Sequence, residues 1–234
     1  MKYLVRLFKE QEHAEQFLAG QLRLMPAGFY IQLEAEGRGR ADALEGAVSQ
    51  KERLNIAFPV LCLIECEAEL GGDGYTLPVS TDVLNDFCKD GGYAVAVEEN
   101  DFIELIKPLL ESSSHENQPA YYGKISYDIN QESLTNCWRD ATEAGNNLLH
   151  KNLDYSYQHE YRFVFTNPSH YTHFPQYGFN QPWRINMPDL HSCAYAFRIG
   201  PIPETEAGCV YLPLNKSHSA AEGAWTCWHQ VLKS

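Results

Sequence analysis

Three polar side chains, Gln158, Glu160 and Arg162, occupy alternate positions in the aromatic-rich run KNLDYSYQHEYRFVF, residues 151–165. Side chains two residues apart project from the same face of a strand, so an amide, a carboxylate and a guanidinium form one row. A carboxylate in such a row can stabilise positive charge that develops in a transition state, while the amide orients a second reactant. Arg6, in the apolar run YLVRLF, can hold a pyrophosphate bidentately from another strand. RADALEG, residues 40–46, places Arg40, Asp42 and Glu45 in a glycine-flanked stretch. Over a sheet end, those charges complete a pocket with Arg6 and Glu160. Plainer readings stand beside these. Glu160 and Arg162 also suit a solvated face, where they pair across one strand repeat, or a face half-covered by a loop. Asp42 also suits a helix N-terminus.

The elements around these residues follow from periodicity. Alternation through residues 155–165 puts Tyr155, Tyr157, His159, Tyr161, Phe163 and Phe165 on a core face. Tyr3–Phe8 reads as a strand, residues 10–19 as a helix ended by Gly20, and Leu22 and Leu24 as part of a strand closed by Pro26. Residues 34–52 read as a charged loop or weakly helical insertion. Residues 56–69 predict a long strand whose first half is buried on both faces, and GGDG, residues 71–74, a turn. Ser80 or Thr81 caps a helix running to Cys88, and YAVAV, residues 93–97, is a strand. A helix capped by Asn100 is expected to end or bend at Pro108. Tyr121–Tyr127, Arg184–Met187, Tyr195–Ile199 and Cys209–Leu212 are short strands, residues 166–182 an irregular excursion. Trp225, Trp228 and Leu232 stand at helical spacing near the C-terminus.

Composition limits the classes. The 234 residues are 44% hydrophobic and 12% aromatic, enough for a sizeable core. Formal charge is −13, and residues 61–132 hold most of it, with 15 acidic against 3 basic side chains. That balance repels phosphate backbones and argues against non-specific nucleic-acid binding. It suits a solvated face or a basic protein partner. No stretch is apolar enough for a membrane span. The seven cysteines are odd in number and irregularly spaced, which reads as buried free thiols in a reducing cytoplasm. His170 and His173 lack a third ligand at matching spacing, so no metal is expected.

An upstream Arg on the first strand with Gln-x-Glu on a later one resembles the arginine-containing class of ADP-ribosyltransferases. The resemblance implies NAD as cofactor, Glu160 as the catalytic acid acting on the nicotinamide ribose, Gln158 as the acceptor-selecting residue and Arg6 as the cofactor anchor. That class also uses a Ser-Thr-Ser strand motif, for which only Ser80-Thr81 stands here. A second likeness spans most of the chain: YLVRLF, RADALEG, IAFPVLCLIEC, GGYAVAVEENDFIEL, GKISYD, a Lys before YSYQHEYRFVF, and INMPDL. This pattern resembles a widespread group of uncharacterised bacterial and prophage proteins. It implies a small cytoplasmic protein encoded near mobile-element or phage-defence genes.

Strands of five to nine residues without regular strand–helix alternation predict one α+β domain over residues 1–234, with a mostly antiparallel sheet and a few short helices. Two functions follow. One is NAD-dependent ADP-ribosyl transfer or NAD cleavage, with Gln158 and Glu160 catalytic and Arg6 and Arg40 binding the cofactor. The other is a non-catalytic module that binds a basic protein through its acidic middle third.

Overall fold

The computed structural model describes residues 1–30, 58–112, 121–129, 146–166, 182–202, 208–215, 219–220 and 225–227. In chain order the elements are β1 (Lys2–Phe8), α1 (Gln11–Leu18), β2 (Gln21–Pro26), β3 (Pro59–Glu67), β4 (Glu69–Gly71), β5 (Gly74–Ser80), α2 (Thr81–Cys88), β6 (Gly92–Glu98) and α3 (Glu99–Ser112). They continue with β7 (Tyr121–Lys124), β8 (Ser126–Ile129), β9 (His150–Asn152), β10 (Glu160–Val164), β11 (Trp183–Asn186), β12 (Ala194–Ile199), β13 (Cys209–Pro213) and β14 (Thr226–Cys227). Short 3-10 turns cover Asn146–Leu149 and Leu153–Gln158. The fold is α+β, with largely antiparallel sheets and few helices.

The central strands are buried on both faces, and alternation splits them between two cores. Leu4, Val95, Val97, Ala194 and Ala196 face α1 and α3, meeting Phe17, Phe102, Ile106 and Leu110. Tyr3, Val5, Ala94, Ala96 and Phe197 face the smaller sheet β13-β5-β4, meeting Leu77, Val79, Val210 and Leu212. Two helices and a small sheet thus close opposite sides of one large sheet, which is why its strands read as nearly continuous apolar runs.

Local signals explain several boundaries. The Ser80 side chain accepts a hydrogen bond from the Asp82 backbone N–H at 3.2 Å and starts α2. The helix α3 runs through Pro108 to Ser112, because buried Leu110 anchors its last turn to the core. Instead of one strand over residues 121–127, β7 and β8 are separated at Ile125, whose N–H turns to the Glu160 carbonyl at 2.9 Å. The expected C-terminal helix is replaced at Thr226–Cys227 by a strand parallel to β12. The backbone groups on that edge of β12 take precedence over helical spacing. Trp228 and Leu232 lie outside the described residues.

One irregularity of the large sheet decides where a ligand can go. Ile64 lies opposite Val5 on one side of β3 and opposite Glu160 on the other. Val60 lies opposite Met25 on one side and Val164 on the other. β10 therefore lines one edge of β3, and β1 and β2 must share the second. β1 is in register with residues 64–67 and β2 with residues 59–60. Between those points β1 turns to β6 and β2 turns to β11. The sheet forks there.

Candidate functional site

The run that holds Gln158 and Glu160 is not one strand. The Asn152 side chain accepts from the Asp154 N–H at 3.1 Å and opens the 3-10 turn Leu153–Gln158. His159 ends the turn in the left-handed region, at φ 46° and ψ 44°. Only from Glu160 does the chain extend. The expected aromatic face is accordingly divided. Tyr161, Phe163 and Phe165 are buried in the core beside α3, whereas Tyr155 and Tyr157 are half-buried and His159 is exposed. A local cap and a left-handed residue outcompete alternation in the first half of the run.

The polar row is the deeply buried one. Glu160 is 5% exposed, Arg162 1%, Gln158 4% and Lys151 5%. That overturns the solvated reading of this face. Arg162 donates from Nε to Glu160 Oε1 at 2.8 Å, and its Nη2 is 2.7 Å from the same oxygen. Lys151 Nζ donates to Glu160 Oε2 at 3.0 Å and to Gln158 Oε1 at 2.8 Å, and sits 4.9 Å from the Tyr155 ring centroid. Arg162 Nη1 donates to the Leu148 carbonyl at 2.7 Å. The Glu160 N–H donates to the Tyr127 hydroxyl at 2.6 Å. Burial alone would raise the Glu160 carboxyl, but the charges of Arg162 and Lys151 and hydrogen bonds from Cys62 and Lys151 outweigh it and hold it at about 2. Cys62 stands across from Arg162, and its thiol lies 3.7 Å from the Tyr30 hydroxyl. Burial, then the Glu160 charge, pushes that thiol up to about 12, so it acts as a neutral donor and not as a nucleophile.

Arg6 approaches from elsewhere. It is in register with Val95, one residue past the Val5–Ile64 pair, so it leaves β1 on the face opposite Glu160. Its guanidinium then turns into the fork. Nη1 donates to the Cys62 carbonyl at 3.1 Å and Nη2 more distantly to the Arg23 carbonyl at 3.5 Å. The rings of Phe8 and Phe17 lie 5.8 and 5.7 Å from its central carbon. Burial lowers its pKa, opposed by Tyr30 and Cys62 and assisted by Arg23. No carboxylate among the described residues pairs with it.

A cavity of about 420 Å³ occupies the fork, and Arg6, Gln158 and Glu160 all line it. The missing strand pairing between β1 and β2 joins side chains that an unbroken sheet would separate. Among the described residues five basic side chains line this space, Arg6, Lys9, Arg23, Lys151 and Arg162, against two acids, Glu10 and Glu160. This excess of positive charge lies in a chain of formal charge −13. Phe29, Tyr30 and Phe87 supply flat apolar surface. The cavity volume and mixed lining fall in the range of small-molecule sites. Arg40, with Asp42 and Glu45, lies outside the described residues, as do His170 and His173. Among the described residues no group of three or more His, Cys, Asp or Glu is placed to hold a metal ion.

Lys151, Cys62 and Tyr30 were not singled out as site residues from the sequence. Lys151 shares no period with Glu160 because a 3-10 turn lies between them. Cys62 looked like one more small apolar residue in a buried strand. Compared with models of protein families, with curated proteins and with solved structures, the chain finds no match. Its class is therefore defined by the fold and this site alone: an α+β chain with a cationic, aromatic-walled cavity in a forked sheet.

Proposed function

We propose that the fork cavity binds a small anionic ligand carrying a planar ring, of the nucleotide class, with NAD as the candidate to test first. The observation that carries this reading is Arg6: a half-buried guanidinium held on two neutral carbonyls, with Arg23 as its charged neighbour and no carboxylate partner among the described residues. A half-buried cation of that kind is compensated when an anion enters, and guanidinium groups suit phosphate geometry. The aromatic lining adds a surface for a base.

A second reading has a specific observation behind it. Glu160 is ionised at neutral pH and lines the cavity beside Gln158, as glycosyl transfer from NAD would need. Against it stands the engagement of the carboxylate. Arg162 holds Oε1 and Lys151 holds Oε2, so the Glu160 charge is already shared between two cations before an oxocarbenium ion develops. Binding without rapid turnover is what this arrangement favours.

Thermal denaturation with and without NAD tests the proposal. At 100 times its Kd a ligand adds about 2.7 kcal/mol to stability. Wild-type protein should gain that stabilisation, Arg6→Met should lose it, and Arg6→Lys should retain part. Equal stabilisation of wild-type protein and Arg6→Met would sink the proposal. Release of nicotinamide by wild-type protein, abolished in Glu160→Gln, would instead establish the second reading.

A further inference from the structure

We infer that Arg23 and Arg184 form a phosphoryl subsite at the mouth of the fork cavity, where the β2–β11 pair holds the phosphate end of the ligand. The subsite rests on the anion reading of the cavity and adds Arg184, a binding residue outside the cavity lining.

Strand register puts the two arginines side by side. Arg23 stands directly opposite Arg184 in the antiparallel pair of β2 and β11, and Gln21 stands opposite Asn186. Residues directly opposite one another project from the same face, with Cβ atoms about 4.5–5.5 Å apart. Leu22, Leu24, Trp183 and Ile185 turn to the core beside α1 and α3. The other face of the pair therefore carries two guanidiniums beside two amides, all of them exposed. Gln21 and Arg23 line the cavity, and Arg184 and Asn186 extend the same face beyond it.

Like charges directly opposite one another destabilise a strand pair. Neither arginine has a carboxylate partner among the described residues. Arg6 brings a third positive charge, since its Nη2 donates to the Arg23 carbonyl at 3.5 Å. Among the described residues β11 is the outermost strand of the large sheet, and a charge on such a strand discourages edge pairing. One arginine meets that need without a second directly opposite. On a chain of formal charge −13, a facing pair of guanidiniums is suited instead to an anion. Two guanidiniums and two amide groups can share the oxygens of one phosphoryl group, whose charge removes the repulsion between the arginines.

Calorimetric titration with ADP and adenosine, at fixed ionic strength and without divalent cations, tests the inference in wild-type protein, Arg184→Met, Arg184→Glu and Arg6→Met. Arg184→Met should weaken ADP binding by about tenfold and leave adenosine unchanged. Arg184→Glu should abolish ADP binding. It should also raise the thermal midpoint of the unliganded protein, because attraction to Arg23 replaces repulsion. Arg184 is exposed, so neither of its variants disturbs the core. Wild-type affinity for ADP in both Arg184 variants, with loss in Arg6→Met, would overturn the mouth subsite and leave the Arg6 reading standing. Loss in the Arg184 variants but not in Arg6→Met would remove the Arg6 reading and keep the subsite. Heat from neither ADP nor NAD in wild-type protein would remove both.

Discussion

Glu160 ties together more of its surroundings than any other polar side chain described above. Both carboxylate oxygens face cations, and all three partners are almost fully buried. Such an arrangement is stable only when complete, because removing one partner strands charge in a poorly hydrated place. Glu160→Gln should therefore cost about 3–5 kcal/mol, read from urea denaturation at neutral pH. A cost below about 1 kcal/mol would mean that water reaches the triad. The same carboxylate sets an acid limit. Its folded pKa of about 2 lies below the ordinary value of 4.5, so the ionised form stabilises the fold. That contribution, about 3 kcal/mol, is fully present above pH 4.5 and is lost as pH falls towards 2. Acid titration of Glu160→Gln should lack this segment of the stability profile.

Gly20 fixes how α1 hands the chain to β2, and so fixes one arm of the fork. Its φ is +76°, and an added Cβ would lie 2.2 Å from the Met187 carbonyl oxygen. The Gly20 N–H donates to the Phe17 carbonyl at 3.0 Å, and the Met187 N–H donates to the Gly20 carbonyl at 2.8 Å. A left-handed glycine after the helix and a close backbone approach are both required there. Gly20→Ala should destabilise the fold by more than about 1 kcal/mol in chemical denaturation. It should also weaken ligand binding, since Gln21 and Arg23 on the displaced strand line the cavity. A variant with wild-type stability and affinity would show that the β2 arm moves independently of the cavity.

Charge is distributed unequally over the protein. Glu67, Glu69, Asp73, Asp82, Asp90, Asp101, Glu104 and Glu111 are all exposed, while the cavity is cationic. Exposed like charges repel and are screened by salt, whereas the buried triad is not. Raising sodium chloride from low to moderate concentration should therefore raise the denaturation midpoint. A midpoint that falls with salt would show that surface attractions outweigh this repulsion. Among the described residues no helix is long and apolar enough to cross a membrane, and Cys62, Cys66, Cys88, Cys193 and Cys209 are free thiols.

The amino-acid sequence determined the class of fold and most element positions, because binary pattern, caps and glycine stops act within a few residues of chain. Ser80, Gly20 and the alternation from Glu160 to Val164 are examples. It also pointed to the polar row and to Arg6, since those residue types stand out in apolar strands. Tertiary structure alone decided how they are used. Whether Glu160 meets water or Lys151 depends on a turn closed by a left-handed histidine. Arg6 and Glu160 share one cavity despite opposite faces because two strands compete for one edge of β3, a long-range pairing that no local pattern encodes.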